Sequence, residues 1–163
     1  MYEKITSRSV FSLLIVALVL HNLEEACTIC RYPVENPFSF IEPATCRQFL
    51  LAVSLITLAC IGLFFIAMRA KKHELFLFIS TAIAAIFLFN VFLPHVLIAV
   101  YTFNYTSGLV TAVTLNLPLS LILLGKNKKS YPNSKLMLTH ILKGFAAGYI
   151  FFVLVMGFSK LVL

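Results

Sequence analysis

The chain has 163 residues, of which 61% are hydrophobic and 12% charged, with a formal net charge of +7 and no Asp. A mean hydropathy of +0.99 excludes a soluble globular domain, which needs far more polar surface at this length. The positive balance is therefore read as Lys and Arg gathered in the cytoplasmic loops of an integral membrane protein rather than as a nucleic-acid footprint, since no basic-aromatic patch accompanies it.

In chain order, five apolar runs are long enough, at about 20 residues each, to cross a bilayer. They cover 10–29, 49–68, 75–101, 108–124 and 136–163. Each is expected to be helical, because hydrocarbon offers backbone groups no partners and no barrel-like alternation is present. The expectation is an all-α bundle of five transmembrane helices, a single domain over 1–163. Lys4 and Arg8 ahead of an apolar run also suggest a cleaved signal peptide. That reading is set aside, because Glu24 and Glu25 would stand beside the cleavage or Cys27 lipidation point, where small uncharged residues are needed.

Orientation follows from the basic residues. Lys4, Arg8, Arg69, Lys71, Lys72, Lys126, Lys128, Lys129 and Lys135 fall on one side of such a bundle. Arg31, Arg47 and Lys160 fall on the other, with Glu35 and Glu42 nearby. The positive-inside rule puts the N-terminus in the cytoplasm and the C-terminus outside. Lys143, two turns into the fifth span, is expected to snorkel back to the cytoplasmic face.

The first span carries His21-Asn22-Leu23-Glu24-Glu25 in its outer half. Ionisable groups at that depth cost several kcal/mol each unless paired or neutralised, so the default reading is a functional site. On a helix His21, Glu24 and Glu25 fall within about 100° of one another. Imidazole and carboxylates at that spacing suit a divalent ion such as zinc, iron or manganese. The bland alternatives are a proton-sharing Glu pair or a bridge to Arg47 that holds helices together. The spacing is not the H-E-x-x-H of zinc proteases.

The same topology brings other polar residues to this depth: Arg47 and Gln48, Asn90 and His95, and Tyr105, Thr106, Gly108 and Thr111. Asn90 and His95 would lie about 140° apart on a straight helix. Pro94 is expected to kink the helix and turn His95 toward Asn90. Tyr105, Gly108, Ala112 and Asn116 share a face, and Gly108-x-x-x-Ala112, like Gly144-x-x-x-Gly148, reads as a close helix-packing pair. An oxidising exterior allows a Cys27–Cys30 or a Cys30–Cys46 disulfide. His73 and His140 lie toward the cytoplasmic side and receive no role.

His21-x-x-Glu24-Glu25, followed by Asn90 and His95 and then Tyr105-Thr106-Ser107-Gly108-Leu109-Val110-Thr111-Ala112, resembles the HXXEE-domain family of small bacterial membrane proteins. Members often carry proline where Ser107 stands, so the turn into the fourth helix is expected to differ here. The resemblance marks these residues as the important ones and says almost nothing of the reaction.

The sequence thus leads to a metal-assisted or acid–base site near the outer face, acting on a lipid-like or membrane-embedded substrate. His21, Glu24 or Glu25, and His95 are the ligand candidates. The remaining Glu is the candidate base, with Asn90 and Tyr105 orienting ligands or stabilising charge. Hydrolysis is the first reaction class. The alternatives are a small proton- or ion-coupled transporter and a non-catalytic membrane assembly partner. Only Ser80 and Thr81 supply polarity to the inner part of the third span, which favours a one-sided pocket over a through-path.

Overall fold

The computed structural model describes residues 5–31 and 44–163. Lys4, Glu35 and Glu42, used in the charge argument, lie outside the described residues. The described chain is all-α, with five helices long and apolar enough to cross a membrane. They are α1 (Ser7–Thr28), α2 (Cys46–Arg69), α3 (His73–Thr102), α4 (Leu109–Lys128) and α5 (Ser134–Val162). Their ends differ from the sequence expectation by at most four residues.

Three helices start on side-chain caps that satisfy orphan backbone donors. Thr6 accepts from the Ser9 amide, and Asn133 accepts from the Leu136 amide. At α2, Thr45 and Gln48 cap each other's backbone reciprocally. Gly108, which precedes α4, has no side chain to offer, and its cap comes from elsewhere in the fold.

The apolar core is formed chiefly by Phe11, Leu14, Ile15 and Leu18 of α1 against Phe76, Leu77, Ile79, Ile83 and Phe87 of α3, with Leu123 of α4. Phe11 and Phe76 meet edge to face with centroids 6.0 Å apart. Helix α3 is the most enclosed of the five, whereas few residues of α2 and α5 are fully buried. An apolar outer surface is the expected state of helices solvated by lipid tails. A Cβ at Gly144 would fall 2.5 Å from the Ala82 Cβ, and one at Gly148 would fall 2.8 Å from the Ile86 Cδ1. This glycine pair therefore lets α5 lie close on α3, as its spacing suggests.

Two long-range bonds define one end of the bundle. Arg8 donates to the Met68 carbonyl, and the Lys126 ammonium donates to the Ile5 carbonyl at 2.6 Å. The start of α1 and the ends of α2 and α4 therefore share that end. At the opposite end Cys30 and Cys46 form a disulfide that ties α1 to α2, and Cys27 is exposed and unpaired.

Helix α3 is not straight. Pro94 has no amide to donate, and the residue before a proline is pushed out of the helical region. Leu93 accordingly sits at φ −127° and ψ 107°, outside the helical region, and α3 is kinked there within Val91–Val96. A widened, π-type stretch covers Ala112–Asn116 in α4. Such bulges re-aim side chains and are common at functional sites.

Candidate metal centre

The kink of α3 brings Asn90 and His95 together: the Asn90 carboxamide nitrogen lies 3.1 Å from His95 Nε2 and 3.4 Å from His21 Nε2. The kink expected from Pro94 is present, and its effect is the expected one. His21 and Glu25, one turn apart on α1, face the same point. Glu25 Oε1 lies 3.5 Å from both His21 Nε2 and His95 Nε2. The two imidazoles meet edge to face with centroids 4.8 Å apart. One potential ligand atom from each of His21, Glu25 and His95 falls within 4.8 Å of the others. His21 is 2% exposed, Glu25 8% and His95 1%.

Glu24 goes elsewhere, which refines its expected role as an alternative ligand or base. Its carboxylate accepts four hydrogen bonds, from the Val110 amide, the Thr111 amide, the Thr111 hydroxyl and the Tyr105 phenol. Two of those donors are backbone amides in the first turn of α4, so Glu24 of α1 supplies the cap that Gly108 cannot. A carboxylate is favoured there by the helix dipole as well as by the orphan donors. Burial first, and then the bond to Glu24, lift the Tyr105 phenol above its ordinary value of 10.0, so it remains a donor at neutral pH.

Thr111 links the two groups. Its hydroxyl donates to Glu24, and the same oxygen lies 3.0 Å from His21 Nδ1. With the hydroxyl hydrogen directed at Glu24, the oxygen accepts from Nδ1–H, which leaves the lone pair of His21 on Nε2, aimed at Glu25 and His95. A ring nitrogen held this way by an outer partner is the usual support of a metal-ligating histidine. The sequence places Thr111 at this depth but gives it no task.

Gly108 closes the site. Its φ of +80° is a left-handed conformation that glycine adopts without cost. A Cβ there would fall 2.7 Å from Glu25 Cγ, 2.7 Å from His21 Cε1 and 3.0 Å from His95 Cε1. The glycine read as a helix-packing residue in fact lies against all three candidate ligands. Ala112 and Asn116 are buried further along α4. Ser107 is fully buried, and its hydroxyl donates to the Glu25 carbonyl and bonds the Thr28 hydroxyl at 2.6 Å. The serine at this position thus ties the α3–α4 turn to the end of α1. Asn22, also on α1, donates to Thr57 of α2.

At the opposite end of the bundle Ser80 and Thr81 are not isolated. The Asn127 carboxamide donates to both hydroxyls, and Tyr131 donates to Thr81 and lies 2.8 Å from His140 Nδ1. His140, given no role by the sequence, belongs to this second polar cluster. His73 stacks on Phe76.

The arrangement presents two imidazole nitrogens and a carboxylate, a donor set suited to borderline divalent ions. The second carboxylate, Glu24, lies one residue away, and the two negative charges together offset a divalent cation. Comparison with known proteins bears on the His21–Glu25 motif and on the family of the chain. An uncharacterised protein of Bacillus subtilis (strain 168), YrkK, is 27% identical over 104 residues, which span 64% of this chain and 65% of that protein. No solved structure matches. Residues 12–123, from the first helix into the fourth, match the family described as proteins of unknown function with an HXXEE motif, and His21-Asn22-Leu23-Glu24-Glu25 is that motif here: the chain belongs to the HXXEE family.

Proposed function

We propose that this protein is a metal-dependent membrane hydrolase that holds a divalent ion, zinc, iron or manganese, between His21, Glu25 and His95. The observation that carries the reading is the placement of both histidine Nε2 atoms 3.5 Å from one Glu25 oxygen, in a buried site. A charge at this depth needs a partner, and an ion shared by three ligands is the economical one. The ion would supply Lewis acidity toward a carbonyl or phosphoryl oxygen. On the protein side, Tyr105 presents a phenol held by Glu24, and Thr111 fixes the His21 tautomer.

A lipid-like or membrane-embedded substrate is favoured by an apolar groove lined by Val96, Ala99, Val100, Phe103, Asn104, Tyr105 and Leu109. Tyr105 connects that groove to Glu24. The proposed setting is a single domain over 1–163 in the bacterial plasma membrane, N-terminus inside and C-terminus outside. Two independent features favour this orientation: the basic residues at one end of the bundle, and a disulfide, which needs an oxidising compartment, at the other.

Proton-coupled transport is the second reading, because Asn116, Ser120 and Asn127 lie on one face of α4, buried, each with a side-chain oxygen that has no hydrogen-bond partner. It ranks second because Leu123, fully buried between Ser120 and Asn127, interrupts that polar line.

Metal analysis of the purified protein beside Glu25→Gln tests the first reading. The wild type should carry about one ion per chain, and the variant should carry none. Chelation should lower the melting temperature and added metal should restore it, by mass action on the native state. The loaded protein, incubated with a bacterial lipid extract, should release products that Glu25→Gln does not. Melting that ignores chelator and metal, together with metal-free wild type, would sink this reading. Proton flux into liposomes would then support transport.

A further inference from the structure

We propose that Asn90 is the fourth ligand of this centre, its carboxamide turning so that Oδ1 faces the ion beside His21 Nε2, His95 Nε2 and Glu25. The inference rests on the metal-binding reading above and adds a ligand that His, Cys and carboxylate chemistry does not supply. As the side chain stands, its Nδ2 occupies one corner of a closed ring of potential ligand atoms. The edges of that ring are 3.5 Å from Glu25 Oε1 to each histidine Nε2, then 3.4 Å and 3.1 Å from Asn90 Nδ2 to His21 and His95. Four ligands at zinc-like bonds of about 2.0–2.1 Å form a tetrahedron whose edges are about 3.3–3.4 Å. The ring edges already match that spacing. Of the two remaining separations, the one between the two histidine ligand atoms lies within 4.8 Å and would close around an ion.

The chemistry of the carboxamide suits it to either kind of neighbour, a histidine lone pair or a cation. His21 Nε2 carries a lone pair, because its Nδ1–H is used on Thr111. An Nδ2 group has two hydrogens and can donate to two neighbouring lone pairs. A half-turn about the terminal torsion exchanges Nδ2 for Oδ1 with almost no change of shape. The N–H pair would repel a cation, whereas the carbonyl oxygen would bind it. One side chain can therefore face either the histidine nitrogens or an ion. The kink of α3 at Pro94 acquires a purpose on this account, since it delivers both Asn90 and His95 to one point instead of different faces.

Asn90→Asp and Asn90→Ala decide the matter when titrated with Co2+ and Zn2+ alongside wild type and Glu25→Gln. Asp retains the ligand oxygen and lacks any N–H. If Asn90 ligates, Asn90→Asp should bind at least as tightly as wild type and keep a four-coordinate Co2+ absorption spectrum. Asn90→Ala should bind ten-fold or more weakly, with a changed spectrum. If Asn90 only donates hydrogen bonds to the histidines, Asn90→Asp should weaken binding as Asn90→Ala does, which overturns the inference and leaves the metal site standing. Equal binding and identical spectra in wild type and Asn90→Ala would overturn it too. A wild type that binds neither ion, or a Glu25→Gln variant that binds both normally, would instead defeat the metal reading itself.

Discussion

Gly108 lies directly against His21, close enough that a Cβ at 108 would stand 2.7 Å from the imidazole Cε1. The contact joins the start of α4 to the first residue of the HXXEE motif, and it occurs at a left-handed φ of +80°. Gly108→Ala would meet both a backbone penalty and an overlap with His21, Glu25 and His95. Overpacking of this kind costs about 1–3 kcal/mol, with the backbone strain added. The expected outcome is a lower melting temperature and loss of metal binding. Gly157→Ala, where the added carbon meets nothing within 4 Å, should change neither.

Thr111→Val should preserve shape while removing the hydroxyl between Glu24 and His21. Loss of an outer partner of a ligating histidine typically weakens metal affinity by about 10–100-fold. Thr111→Ser should retain binding within a few-fold. Isothermal titration with Zn2+ reads the difference, and equal affinity for valine and threonine would show that His21 needs no such support.

The two motif glutamates should separate cleanly. Glu25→Gln removes a ligand and should abolish bound metal. Glu24→Gln should retain metal but destabilise the α1–α4 junction, because an amide nitrogen would replace one oxygen that now accepts from two donors. An unmet buried donor or acceptor costs about 1–3 kcal/mol. Melting curves with and without chelator test this, and identical behaviour of the two variants would contradict the division of labour.

Topology is open to direct measurement. A reporter fused after Leu163 should be extracytoplasmic, and one inserted near Lys128 should be cytoplasmic. Cys27 should react with a thiol reagent without reduction, while Cys30 and Cys46 should require it. Both reporters on one side would contradict the five-span arrangement.

The sequence alone determined the number and placement of the helices, because about 20 apolar residues in lipid leave the backbone no other way to satisfy its hydrogen bonds. It also pointed to His21, Glu25, Asn90 and His95, since polar groups at one depth stand out against hydrocarbon, and Pro94 revealed why two of them meet. Tertiary structure decided which glutamate does what. Glu24 and Glu25 diverge by about 100° on α1, and nothing in their own segment tells which neighbour each will face. The uncapped first turn of α4 claims Glu24, through the Val110 and Thr111 amides. Glu25 is left to the histidines. Thr111 and Gly108 acquire their tasks in the same way, from a helix that begins 84 residues after Glu25 yet packs against the motif. Local sequence carries periodicity and polarity, but the identity of a partner across such a separation is set by packing.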